Sequence, residues 1–186
     1  MNLYIILGII IVVGWIALVY NRLISTKTRC EQTLKDIDIQ LKKRYDLLPD
    51  LIESAKSAMK LDERVLTEIT KLRSQGMKEI ETKAPLSERS KIESKLSELT
   101  RSIQIQVENY PKLESHTELS KLMDGVTYIE ERIAAARQFY NSNVAQFNMM
   151  LAQFPSNIIA QSFHFTPFEF FAASESEKQD IKVKLD

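Results

Sequence analysis

The hydrophobic pattern divides the chain into one continuous apolar run and several periodic stretches. Leu3 to Tyr20 reads LYIILGIIIVVGWIALVY, eighteen positions without a charge. As a helix rising about 1.5 Å per residue, it covers about 27 Å, close to the thickness of a hydrocarbon core. Beyond it, Cys30, Leu34, Ile37, Leu41, Leu48, Leu51, Ala55 and Ala58 recur at steps of three and four, interrupted only by Arg44. Such spacing predicts a helix packed along one face. Pro49 is expected to kink or restart this helix, since it lacks an N–H and its ring crowds the preceding turn.

A second helix is expected from about Asp62 to Glu81, with Val65, Ile69, Leu72 and Ile80 on its face. Thr82 to Ser87 reads as a connection. Ser90-Lys91-Ile92-Glu93 matches a capping box, and Ser87 is an equal N-cap. A third helix carries Ile92, Leu96, Leu99, Ile103 and Val107, and Asn109-Tyr110-Pro111 ends it. The fourth, from Thr117 to Gln153 behind a Ser115-His116-Thr117-Glu118 box, has a seam running from Leu119 through Tyr140, Val144, Phe147 and Leu151 to Phe154. Pro155 closes it. The fold class that follows is all-α: an N-terminal transmembrane helix, then an antiparallel up-and-down four-helix bundle with long helices. An extended coiled-coil dimer would use the same seams.

The domains on this reading are an anchor over 1–22, a helical bundle over 23–155, and an aromatic-rich closing segment with a polar tail over 156–186. Leu3, Ile9, Trp15 and Tyr20 mark the anchor, with Trp15 and Tyr20 suited to its interfacial end. A cleaved signal peptide is the rival reading, but the run lacks a basic n-region and a small-residue cleavage site. Arg22, Lys27, Arg29 and Lys35 follow the run and no Lys or Arg precedes it, so the positive-inside rule sets the body in the cytoplasm.

Composition narrows the function. Lys plus Arg and Asp plus Glu are 25 each, leaving no basic surplus for nucleic acid. Four glycines leave no phosphate-cradling loop. His116 and His164 stand in no metal-ligand pattern; His116 reads as part of a cap and His164 as a packed aromatic. Cys30, the single cysteine, lies on the apolar seam and reads as core. No catalytic residue, cofactor or metal is expected.

Two polar groups remain. Glu130, Arg137, Asn141 and Asn148 flank the fourth seam, and Arg44 interrupts the first with Asp38, Asp46 and Asp50 nearby. Charges near a core need partners. The two sets are therefore expected to meet across the bundle, either fixing register or lining a cleft. Phe163, Phe165, Phe168, Phe170 and Phe171 crowd around Pro167. They either close the bundle or form a contact patch for a partner or a membrane surface, with Phe165, Phe168, Phe170 and Phe171 as contact residues.

Several stretches together resemble the LemA family of bacterial membrane-anchored proteins. They are Tyr20-Asn21, Gln40 to Leu51, Glu108 to Leu113, Glu130 to Asn141, Val144, Phe147-Asn148 and Phe154 to Asn157. Asp50, Leu34 and Leu119 depart from the family's usual residues. The resemblance implies an anchored up-and-down bundle, no catalytic activity, and an inner-membrane setting in which members often accompany membrane metalloproteases. The expected role is a membrane-anchored scaffold or docking protein, partnered by the bilayer and by another membrane or membrane-proximal protein. The alternatives are a ligand- or lipid-binding helical module and an accessory factor to such a protease.

Overall fold

The computed structural model describes residues 2–58, 62–108 and 117–172. Among these residues it has five helices and no strand: α1 (Asn2–Ala58), α2 (Glu63–Glu81), α3 (Leu86–Glu108), α4 (Thr117–Ala152) and α5 (Ser156–Ser162). The Asn109-Tyr110-Pro111 stop, the Ser115-His116 cap and the polar tail lie outside the described residues.

α1 does not break at Pro49. It begins with the uncharged run, whose mean hydropathy over eighteen residues is 2.7 and which is not buried within the protein. By length and composition this is a helix able to cross a membrane.

Two compact units follow from the contacts. One comprises the chain up to Asp36 together with Ala136–Phe170. Its core is Leu23 and Cys30 of α1, Tyr140, Val144 and Phe147 of α4, and Ile159 and Ala160 of α5. Cys30 is fully buried, and that burial pushes its thiol up from the ordinary range. Asn143 Nδ2 donates to Thr33 Oγ1 across 3.5 Å, tying α4 to α1.

The second unit comprises the described residues within Ile37–Ala135, together with Phe171 and Ala172. The α1 seam is buried as its spacing predicts: Ile37, Leu41, Leu48, Leu51 and Ala55 are all at 0% exposure. In α2, which Asp62 caps through the Arg64 N–H, Leu66 rather than Val65 is buried, with Ile69, Leu72 and Gly76. At Gly76 the Tyr45 ring lies against the helix, in the space a Cβ would take. Lys83, at φ 51, ends α2 in the left-handed conformation, with Ala84 N–H on Glu79 O and Lys83 N–H on Ile80 O.

α3 starts at Leu86 after Pro85, so Ser87 and Ser90 are not its caps; the Ser90 hydroxyl donates to Leu86 O inside the helix. Its buried ridge runs Ser90, Glu93, Leu96, Thr100, Ile103 and Val107. The seam of α4 is buried through Phe147, but Phe154 is 79% exposed because the helix ends at Ala152 before the cis Phe154–Pro155 bond.

Candidate functional site

The buried charge in the second unit centres on Arg44, whose side chain is fully enclosed. Its seam position forces the guanidinium inward, where an unpaired charge would cost several kcal/mol. Nη1 lies 3.0 Å from Glu93 Oε2 and Nη2 lies 2.8 Å from Glu130 Oε1. Nη2 also donates to Ser97 Oγ at 3.0 Å, and that hydroxyl donates to Glu130 Oε2 at 3.1 Å. The Tyr45 hydroxyl donates to the other oxygen of Glu93. Burial, then the Glu93 charge, raises the Tyr45 phenol far above its ordinary range. Arg89, itself buried, pairs with Asp38.

One cation, two carboxylates and a phenol thus pair with one another, joining α1 to α3 and α4, while Arg44 Nε is buried without a hydrogen-bond partner. Among the described residues no cluster of His, Cys, Asp or Glu could hold a metal.

The expected polar residues therefore divide. Arg44 and Glu130 meet directly. Asp46 and Asp50 are exposed and stand apart from the pair. Arg137 is buried and Asn141 half-buried, both in the first unit. Asn148 grips the backbone of the following segment: its Nδ2 donates to Phe168 O at 2.9 Å, and Phe168 N–H donates to its Oδ1 at 3.0 Å. Glu93, whose spacing from Ser90 suggests a cap, is instead the more deeply buried of the two counter-ions. The available clue was that it falls three residues before Leu96 on the seam of α3, as Arg44 falls three after Leu41.

The aromatic segment runs back along α4. The Tyr140 hydroxyl donates to Glu169 O at 2.8 Å. The rings of Phe165 and Phe168 pack edge-on to Phe147, with centroids at 6.2 and 5.4 Å. Phe171 is buried at 1% exposure, so of the four expected contact residues only Phe170, at 53%, is strongly exposed. Phe163 is exposed to 52% and stacks on Tyr20 at 4.7 Å. His164 is exposed rather than packed, at φ 55.

The model of the LemA family matches residues 33–185. The chain belongs to the LemA family. A protein named LemA from Metamycoplasma hominis is 24% identical over 183 residues, 96% of this chain and 82% of the relative. Several stretches that carry the LemA resemblance hold the internal scaffold here. Arg44, Tyr45 and Glu130 make the buried ion-pair cluster, and Tyr140 and Asn148 fasten the aromatic segment. In this LemA chain those residues spend their polar groups inside the protein.

Proposed function

We propose that the protein is a single-pass membrane scaffold that docks another protein and performs no chemistry. The observation that carries this reading is the opening of α1. Eighteen uncharged residues, unburied within the protein, pass without a break into a helix whose next turns form a core. Leu3 at 74% exposure, Ile9 at 58% and Leu18 at 71% would leave a large apolar surface in water. A bilayer removes that cost. The basic residues Arg22, Lys27, Arg29 and Lys35 favour a cytoplasmic body. The four helical segments of the second unit would form the antiparallel bundle, with Arg44 fixing their register. Phe170 would be part of the docking surface.

Membrane fractionation tests the anchor. The full chain should resist alkaline extraction, and Ile10→Arg should release it, since a central Arg costs about 2.5–3.5 kcal/mol on insertion scales. Release of the unaltered chain would refute the anchor. A photo-crosslinker at position 170 tests docking: a defined heterotypic product absent from a control at Lys91 supports it, and products indistinguishable from the control overturn it.

A further inference from the structure

At the end of the apolar run, α1 and the aromatic segment border an open cavity of about 250 Å³ lined by residues including Tyr20, Lys27, Phe163, His164 and Thr166. All belong to one compact unit. Tyr20 is the last residue of the span, and Lys27 stands seven residues on, about 10 Å along the helix axis. The headgroup layer beyond a hydrocarbon core is about 5–8 Å deep on each side. Resting on the reading that Leu3–Tyr20 spans a bilayer, the cavity therefore runs from the hydrocarbon edge at Tyr20 to a few ångströms past the headgroup layer at Lys27, whose long side chain can reach back into it.

Its chemistry suits an anionic headgroup. Among the described residues the lining supplies an ammonium, an imidazole and two hydroxyls, and includes no carboxylate. Among the described residues Lys27 pairs weakly with Glu31 at 3.8 Å, with both side chains about half exposed. Tyr20 and Phe163 pack at 4.7 Å and form an aromatic rim of the kind that settles at an interface. The volume suits a small polar group and is too small for a lipid with its chains.

His164 supplies the imidazole of that lining. It sits where α5 ends in a Schellman turn, with Phe165 N–H on Ala160 O and His164 N–H on Gln161 O. Glycine is the usual residue there. Here a histidine takes that left-handed place, and its side chain lines the cavity.

We propose that this cavity binds the phosphate-bearing headgroup of an anionic phospholipid, through Lys27 and His164. The test uses Trp15, the single tryptophan, as an internal probe within the span. The full chain is reconstituted in phosphatidylcholine vesicles containing phosphatidylglycerol, with either lipid acyl-brominated as quencher. Brominated phosphatidylglycerol should quench with a preference of about fivefold, the scale of one basic group near an anionic surface. Lys27→Gln should bring that preference close to unity, while Arg29→Gln, which removes an equal charge outside the cavity, should keep most of it.

Equal quenching by both lipids, or equal losses in the two variants, overturns the site and leaves the anchor standing. Competition by inorganic phosphate in solution would assign the cavity to a free anion and also overturn the proposal. Absence of quenching by either lipid would instead show that the span is not in the bilayer, which defeats the anchor reading itself.

Discussion

Arg73 donates its Nε–H to the carbonyl oxygen of Tyr45 across 2.6 Å, and Pro49 is the reason that oxygen is free to accept. In a helix the Tyr45 carbonyl would take the N–H of residue 49, which proline lacks. A side chain from α2 supplies the missing donor, and α1 runs on to Ala58. Arg73→Ala should therefore cost about 1–3 kcal/mol, the range for an orphaned buried acceptor. In a Pro49→Ala background the backbone N–H reclaims the carbonyl, and the same substitution should cost much less. Denaturation of the four chains gives this coupling directly. Equal costs in both backgrounds would show that Arg73 is not replacing the proline's missing bond.

The same pair of residues shows what sequence could and could not supply. Helix identity was legible because apolar spacing is local: the α1 seam at Ile37, Leu41, Leu48, Leu51 and Ala55 is fully buried as its period implies. The persistence of α1 through Pro49 was not legible, because the compensating donor sits on another helix, 28 residues from the Tyr45 carbonyl it serves. Glu93 was hidden for a related reason. Its spacing from Ser90 fits a local cap, and only the Arg44 charge in the fold makes it a counter-ion. Phe171 also looked like its four neighbours in the aromatic segment, yet it is buried while Phe170 is exposed. Composition cannot separate residues whose difference is the direction of one short strip of backbone.

Arg44 should be far costlier to remove alone than together with its counter-ion. Arg44→Met leaves the Glu93 carboxylate buried at 2% side-chain exposure with its cation gone. Breaking such a pair costs about 3–5 kcal/mol, whereas replacing both members with apolar groups is often near neutral. Arg44→Met with Glu93→Leu should recover much of the loss, though Tyr45 then lacks its acceptor. Chemical denaturation measures both chains. A double variant less stable than the sum of its singles would contradict this account.

Two glycines inside helices should respond oppositely to alanine. A Cβ at Gly76 would stand 2.7 Å from Cζ of Tyr45, a ring held by its bond to Glu93. Overpacking of this kind costs about 1–3 kcal/mol and outweighs the roughly 1 kcal/mol of helix propensity gained. At Gly125 the nearest neighbour would be Leu47 Cδ1 at 3.5 Å, an ordinary contact. Gly125→Ala should keep the propensity gain and raise stability by up to about 1 kcal/mol. Thermal melts of the two variants against the parent decide the signs, and a stabilised Gly76→Ala would mean the Tyr45 ring gives way.

Tyr45 also sets a pH dependence with a definite sign. Burial and the adjacent Glu93 charge raise its phenol in the folded protein, whereas in the unfolded chain it ionises near pH 10. The folded state thus keeps a proton that the unfolded state sheds. The contribution is complete below about pH 10 and falls as pH rises, by up to about 1.36 kcal/mol per pH unit for one proton. Tyr45→Phe removes this titration. At pH 8 the variant should be less stable by about 1–3 kcal/mol, because one Glu93 oxygen loses its donor. Above pH 10 the two stability curves should converge. Loss of lysine charge weakens both chains alike and cancels in the difference, so denaturation midpoints taken from pH 8 to 11.5 isolate the phenol. Parallel curves across that range would place the Tyr45 proton outside the stability of the fold.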